Sequence, residues 1–373
     1  MNVESTVLKR YSEGADEKQA DLCCPVDYDA ELLKILPQEI IDKDYGCGDP
    51  SSYVRKGDTI LDLGSGSGKI CYIAAQLVGD EGHVIGVDIN DDMLALSRKY
   101  QKEMAEKIGG NRVTFRKGQI QDLALDMAAV DNYLSEKPIQ KTSDLSSFRA
   151  WQDTQRREHP LIPDHSIDLV VSNCVLNLVH DGDKEQLIRE IFRVLKPGGR
   201  IAISDIVSDE PVGAHLKQEP DLWSGCISGA LEENAFLEAF VDAGFVAVCY
   251  GKWVPEPWQM VENIEFRSVT VTAVKPMGSE QIDRGHAVIY RGPFKEIKDE
   301  KGQIFPRGQR IAVSGNDFHL LTSSPYENSF IGLAPARLIA PQPFNSKPGT
   351  VRLPKDTKNA DCTTTQSGSC CCG

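Results

Sequence analysis

Ile60–Lys69, ILDLGSGSGK, decides the fold: an apolar strand runs into a turn with glycine at positions 64, 66 and 68. Gly64, Gly66 and Gly68 let the backbone bend sharply and approach a ligand without Cβ clashes. A dinucleotide fingerprint needs glycine at 69, where Lys69 stands, so GxGxxG is not met. Twenty residues past Gly68, Asp88 ends a second strand, VIGVD, where a carboxylate can accept both hydroxyls of a ribose. Outward from this pair the chain alternates. Strands are expected at 58–63, 83–88, 112–117, 167–172, 200–206, 245–250 and 269–274, and helices at 71–78, 92–107, 184–194 and 232–243. That alternation implies an α/β, doubly wound, mostly parallel sheet. The KPGG turn at 196–199 is expected to end the helix over 184–194.

Two stretches break the rhythm. Residues 126–163 form a polar, helical insertion that reads as a surface excursion or lid, and 208–230 leaves the fifth strand carrying Trp223 and Cys226. The domain reading is therefore an N-terminal segment over 1–50, the α/β domain over 51–275 and a small β-rich appendage over 276–340. Strand-like pieces in that appendage are expected at 287–291, 309–314 and 317–322. From 341 to 373 the composition turns to Pro, Ser, Thr and Lys and ends in SGSCCCG, so a disordered tail is expected.

Composition removes several classes of function. The net charge is −14 and no Lys/Arg stripe stands out, which argues against a nucleic-acid partner. No apolar run approaches the roughly 18 residues of a membrane span, and the first 18 residues carry no apolar signal region. A cytoplasmic location is expected. Eleven scattered cysteines, an odd number with neither secretory context nor paired CxxC motifs, argue against both a disulfide framework and structural zinc. Packed thiols, soft-metalloid ligands and redox chemistry remain.

Cys174 focuses the choice. It follows the apolar run before Ser172–Asn173 in VVSNCVLNLV, at the carboxyl end of a predicted buried strand, where open α/β sheets bind ligands. Cys47 in DYGCGD and Cys226 in WSGCISG occupy short Gly-flanked settings. Three thiolates suit a pyramidal trivalent metalloid, whose nucleophilic lone pair needs no general base. His180 reads as a surface or capping residue, and Cys71 and Cys249 as packed thiols.

The GxGxG loop with Asp88 and KPGG resembles the class I S-adenosylmethionine-dependent methyltransferases. Adding DYGCGD, SNCVLNLV, LWSGCISGAL and HAVIYRGPF, residues 40–330 apart from the insertion resemble the arsenite methyltransferases. The resemblance implies S-adenosyl-L-methionine as cofactor, held by Tyr45, Asp62, Gly64, Gly66, Gly68, Asp88, Ile89 and Asn173, with Ile120 over the adenine and Gln121 at its edge. It also implies that Cys174 and Cys226 bind trivalent arsenic. Cys47 is then either a third ligand or the thiol that forms a disulfide during turnover, and Cys23 or Cys24 matches a further family cysteine. In the implied mechanism arsenic's lone pair takes the methyl group. Protein thiols then reduce the pentavalent product, and thioredoxin or glutathione resets the disulfide. The chain departs from the family at Asp44, where a second tyrosine is usual, at Gln121, where an acid is usual, and in the insertion. Two rivals make other demands. A small-molecule C- or O-methyltransferase would use the cysteines as packing, and a non-enzymatic thiol protein would sequester metal without the cofactor.

Overall fold

The computed structural model describes residues 3–17, 19, 26–278, 281–335, 337 and 339–357. Cys23, Cys24, Cys362 and Cys370–Cys372 lie outside the described residues. The chain divides into two compact units, 1–276 and 277–373.

The first unit is built on strands β1 (Thr59–Leu63), β2 (His83–Asp88), β3 (Val113–Lys117), β4 (Ile167–Asn173), β5 (Leu195–Ser208), β6 (Leu231–Glu232), β7 (Val246–Trp253), β8 (Gln259–Val261) and β9 (Ile264–Val274). Their main order is β3-β2-β1-β4-β5-β9-β7, with β6 beside β5 and β8 beside β9. β1 to β5 are mutually parallel, whereas β9 runs antiparallel to both β5 and β7. The helical connections that make a sheet parallel stop at β7, and the β7–β9 return is a direct reversal. One hydrophobic core lies on each face of the sheet. Leu187, Ile191, Phe236 and Phe240 belong to one, and Ile70, Ile73, Leu94 and Met104 to the other. β1 and β4 are therefore covered on both sides, which is why they read as continuous apolar runs. Among the described residues no helix is long and apolar enough to cross a membrane.

Two expectations for this unit need correction. The helix expected over 92–107 is two, Asp91–Lys99 and Gln101–Ile108, because Tyr100 leaves helical geometry at φ −101°, ψ 0°. KPGG does not stand as a turn before the fifth strand; it is the first part of β5. Its register slips between Ile167 and Leu169, and Gly198 takes φ +80°. The helix Lys184–Val194 ends instead where Leu195 turns extended. The insertion forms helices Met127–Glu136 and Thr142–Glu158, joined by a Tyr133, Phe148 and Trp151 ring cluster.

In the second unit Ala287–Tyr290 lies between antiparallel strands Arg310–Ala312 and Phe330–Leu333. Residues 317–322, expected as a strand, belong mostly to the helix Gly315–Leu321. Ser314 caps that helix, accepting from the Asp317 amide while its hydroxyl donates to the Asp317 carboxylate. Part of the expected disordered tail is held in place. Gln342–Pro343 pairs with Ile282–Asp283, and Arg352 donates to Asp283 at 2.8 Å.

Candidate active site

The sheet reverses its strand order between β1 and β4, and the crevice beyond their carboxyl ends is where such sheets bind ligands. The register sets Leu63 beside Ser172 and Asn173 beside Ser204. The glycine turn after β1, the thiol after β4 and Asp205 on β5 thus arrive at one place.

Gly64, Gly66 and Gly68 all have positive φ, at +67°, +49° and +85°. A Cβ on Gly64 would lie 2.5 Å from the Val175 side chain, whereas one on Gly66 would meet nothing within 4 Å. The first glycine is thus required by packing, and the second opens onto the pocket. The Gly66 amide donates to Asp88 Oδ2 at 2.8 Å and the Asn90 amide to Oδ1 at 2.9 Å. Burial raises the Asp88 carboxyl while these amides oppose the rise. Beneath the turn, burial pushes Asp62 up to about 7, and its carboxyl accepts from the Cys71 thiol at 3.2 Å. Ile89, Ile120 and Gln121 line the same pocket. The N-terminal helix Val3–Asp16 closes it with Glu4, Val7, Leu8 and Tyr11, residues on one face of the helix. Asn90 Nδ2 pins that helix, donating to Leu8 O at 3.2 Å and Ser12 Oγ at 3.1 Å.

Asn173 and Tyr45 line the pocket, but their polar atoms are occupied by protein. Asn173 Oδ1 accepts from the Cys47 and Gly48 amides at 2.9 and 3.0 Å, and Nδ2 donates to Gly48 O and Tyr28 Oη at 2.8 and 3.1 Å. It is a clamp on the Cys47 turn. Side chains at the flanking glycines would break it: a Cβ on Gly46 would sit 2.0 Å from Asn173, and one on Gly48 2.5 Å from Ser204. The Tyr45 hydroxyl donates to Gly14 O at 2.8 Å, and its ring meets Tyr11 edge-on.

At the thiol end Cys47 and Cys174 form a disulfide with Cα atoms 5.8 Å apart. Cys226, a thiol outside that disulfide, donates to Cys174 O at 3.3 Å. All three cysteines are buried in one apolar cluster with Ile206, Ile227 and Phe266. Cys174 also lines the cofactor-side pocket. Cys174 and Cys226 have φ of +62° and +63°, a region that costs a non-glycine residue about 1–3 kcal/mol and is typically held only where the surroundings enforce it. The Cys174 amide donates to Ser204 O, and Asn177 Nδ2 donates to Ile206 O and Cys226 O. Trp223 Nε1 donates to Leu178 O, fixing the 208–230 segment over the same site.

The sequence reading missed two residues here. Asp205 is fully buried, and one of its carboxylate oxygens and the Cys47 and Cys174 sulfurs all lie within 4.8 Å of one another. Burial pushes Asp205 up to about 6, against amides of Ile206 and Asn177 and the charge of Lys184. The signal was present: a lone acid inside the apolar strand IAISDIV. Tyr11 left no comparable mark. His180 is exposed and caps the turn after it, as expected, with Nδ1 accepting from the Gly182 amide. Cys71 is buried as packing, and Cys249 is half-buried against Thr272.

A mostly parallel sheet of this order, a GxGxG turn at the switch point and a buried acid ending β2 define a class I S-adenosylmethionine-dependent methyltransferase. The family model described as "Methyltransferase domain" matches residues 54–156 and 152–244, and one described as "Domain of unknown function (DUF8838)" matches 277–362. The arsenite methyltransferase of Aquipseudomonas alcaligenes is 31% identical over 88% of this chain and 89% of its own length. That of Mus musculus is 30% identical over 84% and 77%. The crystal structure of an arsenic(III) S-adenosylmethionine methyltransferase from Chlamydomonas reinhardtii superposes with a TM-score of 0.57 at 26% identity, over 86% of this chain and 99% of that one. The chain belongs to the arsenite methyltransferase family.

Proposed function

We propose that the chain methylates trivalent arsenic with S-adenosylmethionine, that Cys174 and Cys226 hold the arsenic, and that Cys47 serves the redox step. The observation that carries this reading is the gathering of three cysteines in one buried apolar cluster, with Cys174 forming part of the cofactor pocket wall. The residues present fit the cofactor: backbone open to the pocket at Gly66, and a buried carboxylate at Asp88 fixed by two amides. When bound, S-adenosylmethionine supplies a methyl group on a sulfonium centre. Asp88 would accept from the ribose hydroxyls, Ile89 and Ile120 would cover the adenine, and Gln121 would bond its edge.

Trivalent arsenic bound by thiolates keeps a lone pair, so the site's task is alignment rather than base catalysis. Two sulfurs on rigid, left-handed residues hold the arsenic, and the apolar shell excludes water. Methylation oxidises arsenic formally from three to five. Returning it to three takes two electrons: the Cys47 thiol gives up its proton and attacks the arsenic-bound Cys174 sulfur, the As–S bond breaks with its electron pair left on arsenic, and the Cys47–Cys174 disulfide forms. Thioredoxin or glutathione then reduces that disulfide by thiol exchange. The 51–275 domain is read as the catalytic body, 1–50 as its cover and source of Cys47, and 276–340 as a separate small domain. Metalloid detoxification is the physiological purpose.

Purified protein incubated with arsenite, S-adenosylmethionine and a thiol reductant is expected to yield methylated arsenic. Cys174→Ser and Cys226→Ser should abolish the product while binding S-adenosylmethionine as the parent does. Undiminished product from either variant refutes the ligand assignment and favours packing cysteines.

A further inference from the structure

The N-terminal helix is fastened at both ends of the site. Arg10 Nη1 donates to Asp221 O at 2.9 Å and Ser224 Oγ at 2.7 Å, five and two residues before Cys226. Asn90 holds Leu8 and Ser12 on the cofactor side. Tyr11 sits between these anchors. Its ring lines the cofactor pocket and meets Tyr45 edge-on with centroids 6.0 Å apart, and its hydroxyl hydrogen-bonds the Cys226 side chain.

The need for a donor there follows from what surrounds Cys226. As a thiol, Cys226 donates to Cys174 O at 3.3 Å. As a ligand it is a thiolate with no proton to give, and the same contact sets a negative sulfur against a carbonyl oxygen. Asp205, a further acid, lies beside the Cys47–Cys174 pair. The liganded state therefore needs a neutral donor aimed at Cys226, and the Tyr11 hydroxyl is such a group. A phenol keeps its proton at neutral pH, so this hydroxyl can donate.

We propose that Tyr11 is a positioning residue of the arsenic site, donating its hydroxyl proton to the Cys226 sulfur and fixing that sulfur toward Cys174. The assignment rests on the arsenic-methylating reading above. Groups that orient a coordinating side chain from behind typically contribute 10–100-fold in affinity. Tyr11 also lines the cofactor pocket, so Tyr11→Phe, which removes only the hydroxyl, is compared with Tyr11→Ala, which removes the ring as well.

The experiment uses the full chain as wild type, Tyr11→Phe, Tyr11→Ala and Cys226→Ser. KM and kcat for arsenite are measured at saturating S-adenosylmethionine, S-adenosylmethionine affinity by calorimetry, and thermal midpoints for all four. Tyr11→Phe is expected to raise the arsenite KM by roughly 10–100-fold, with cofactor affinity and thermal midpoint unchanged. Tyr11→Ala, which also removes the wall, should weaken both ligands. An unchanged arsenite KM in Tyr11→Phe overturns the proposal, as does a loss shared equally between arsenite and cofactor, which marks a merely structural tyrosine. The failures are distinguishable. Full activity in Cys226→Ser sinks the ligand assignment itself, whereas an inactive Cys226→Ser beside an unaltered Tyr11→Phe sinks only the role of Tyr11.

Discussion

Asn173→Ala tests whether one carboxamide holds the redox loop in place. Its side chain makes four hydrogen bonds, two accepted from the Cys47 and Gly48 amides and two donated to Gly48 O and Tyr28 Oη. Truncation strands two backbone donors, each costing roughly 1–3 kcal/mol where water cannot reach. Asn173 is only half-buried, so entering water recovers part of this, and a loss of about 2–4 kcal/mol is expected. Urea unfolding under reducing conditions isolates this loss from any contribution of the disulfide. Equilibration with glutathione then reads the second consequence. A loosened turn lowers the effective concentration of the Cys47 thiol at Cys174, about tenfold for each 1.4 kcal/mol of lost ordering. Asn173→Asp keeps the acceptor and loses the two donors, so it should fall between wild type and Asn173→Ala. Wild-type stability together with a wild-type thiol–disulfide equilibrium in Asn173→Ala would refute the clamp.

Two further outcomes follow from the carboxylates. Asp205 is raised from 3.8 to about 6 by burial, so its contribution to folding is intact below about pH 4 and is lost as pH rises through 6. The stability of Asp205→Asn relative to wild type should therefore increase by about 3 kcal/mol between pH 4 and pH 7, measured by chemical denaturation across that range, and a flat difference contradicts the buried-acid reading. Asp88→Ala should weaken S-adenosylmethionine by roughly 10–100-fold in calorimetry, the worth of charged hydrogen bonds to a ribose. Unaltered affinity would remove Asp88 from the cofactor site.

The parts of the fold that sequence discloses are those where one local signal dominates. β1 and β4 are buried on both faces and announce themselves as apolar runs, and the glycine turn is marked by three residues whose φ values few others adopt. The helix break at Tyr100 is invisible because the apolar spacing continues through it. Residues 317–322 carry enough apolar character for a strand, and the Ser314–Asp317 cap settles the matter locally. At the site, sequence context marks three cysteines that the fold gathers, whereas nothing local tells that Asn173, which lines the pocket, also clamps the Cys47 turn. Its partners lie more than a hundred residues away, on an N-terminal stretch that only the folded chain brings to the end of β4. Asp205 and Tyr11 became visible for the same reason, through long-range pairing rather than through any neighbour in sequence.

The left-handed backbone at Cys174 and Cys226 sets stability and chemistry against each other. Glycine, or asparagine at lower gain, relieves the strain that each cysteine maintains. At Cys226 that relief comes with no cross-link lost, whereas at Cys174 it is offset by loss of the bond to Cys47. On the arsenic-binding proposal, a screen for heat resistance alone therefore trades away the Cys226 ligand before the Cys174 one.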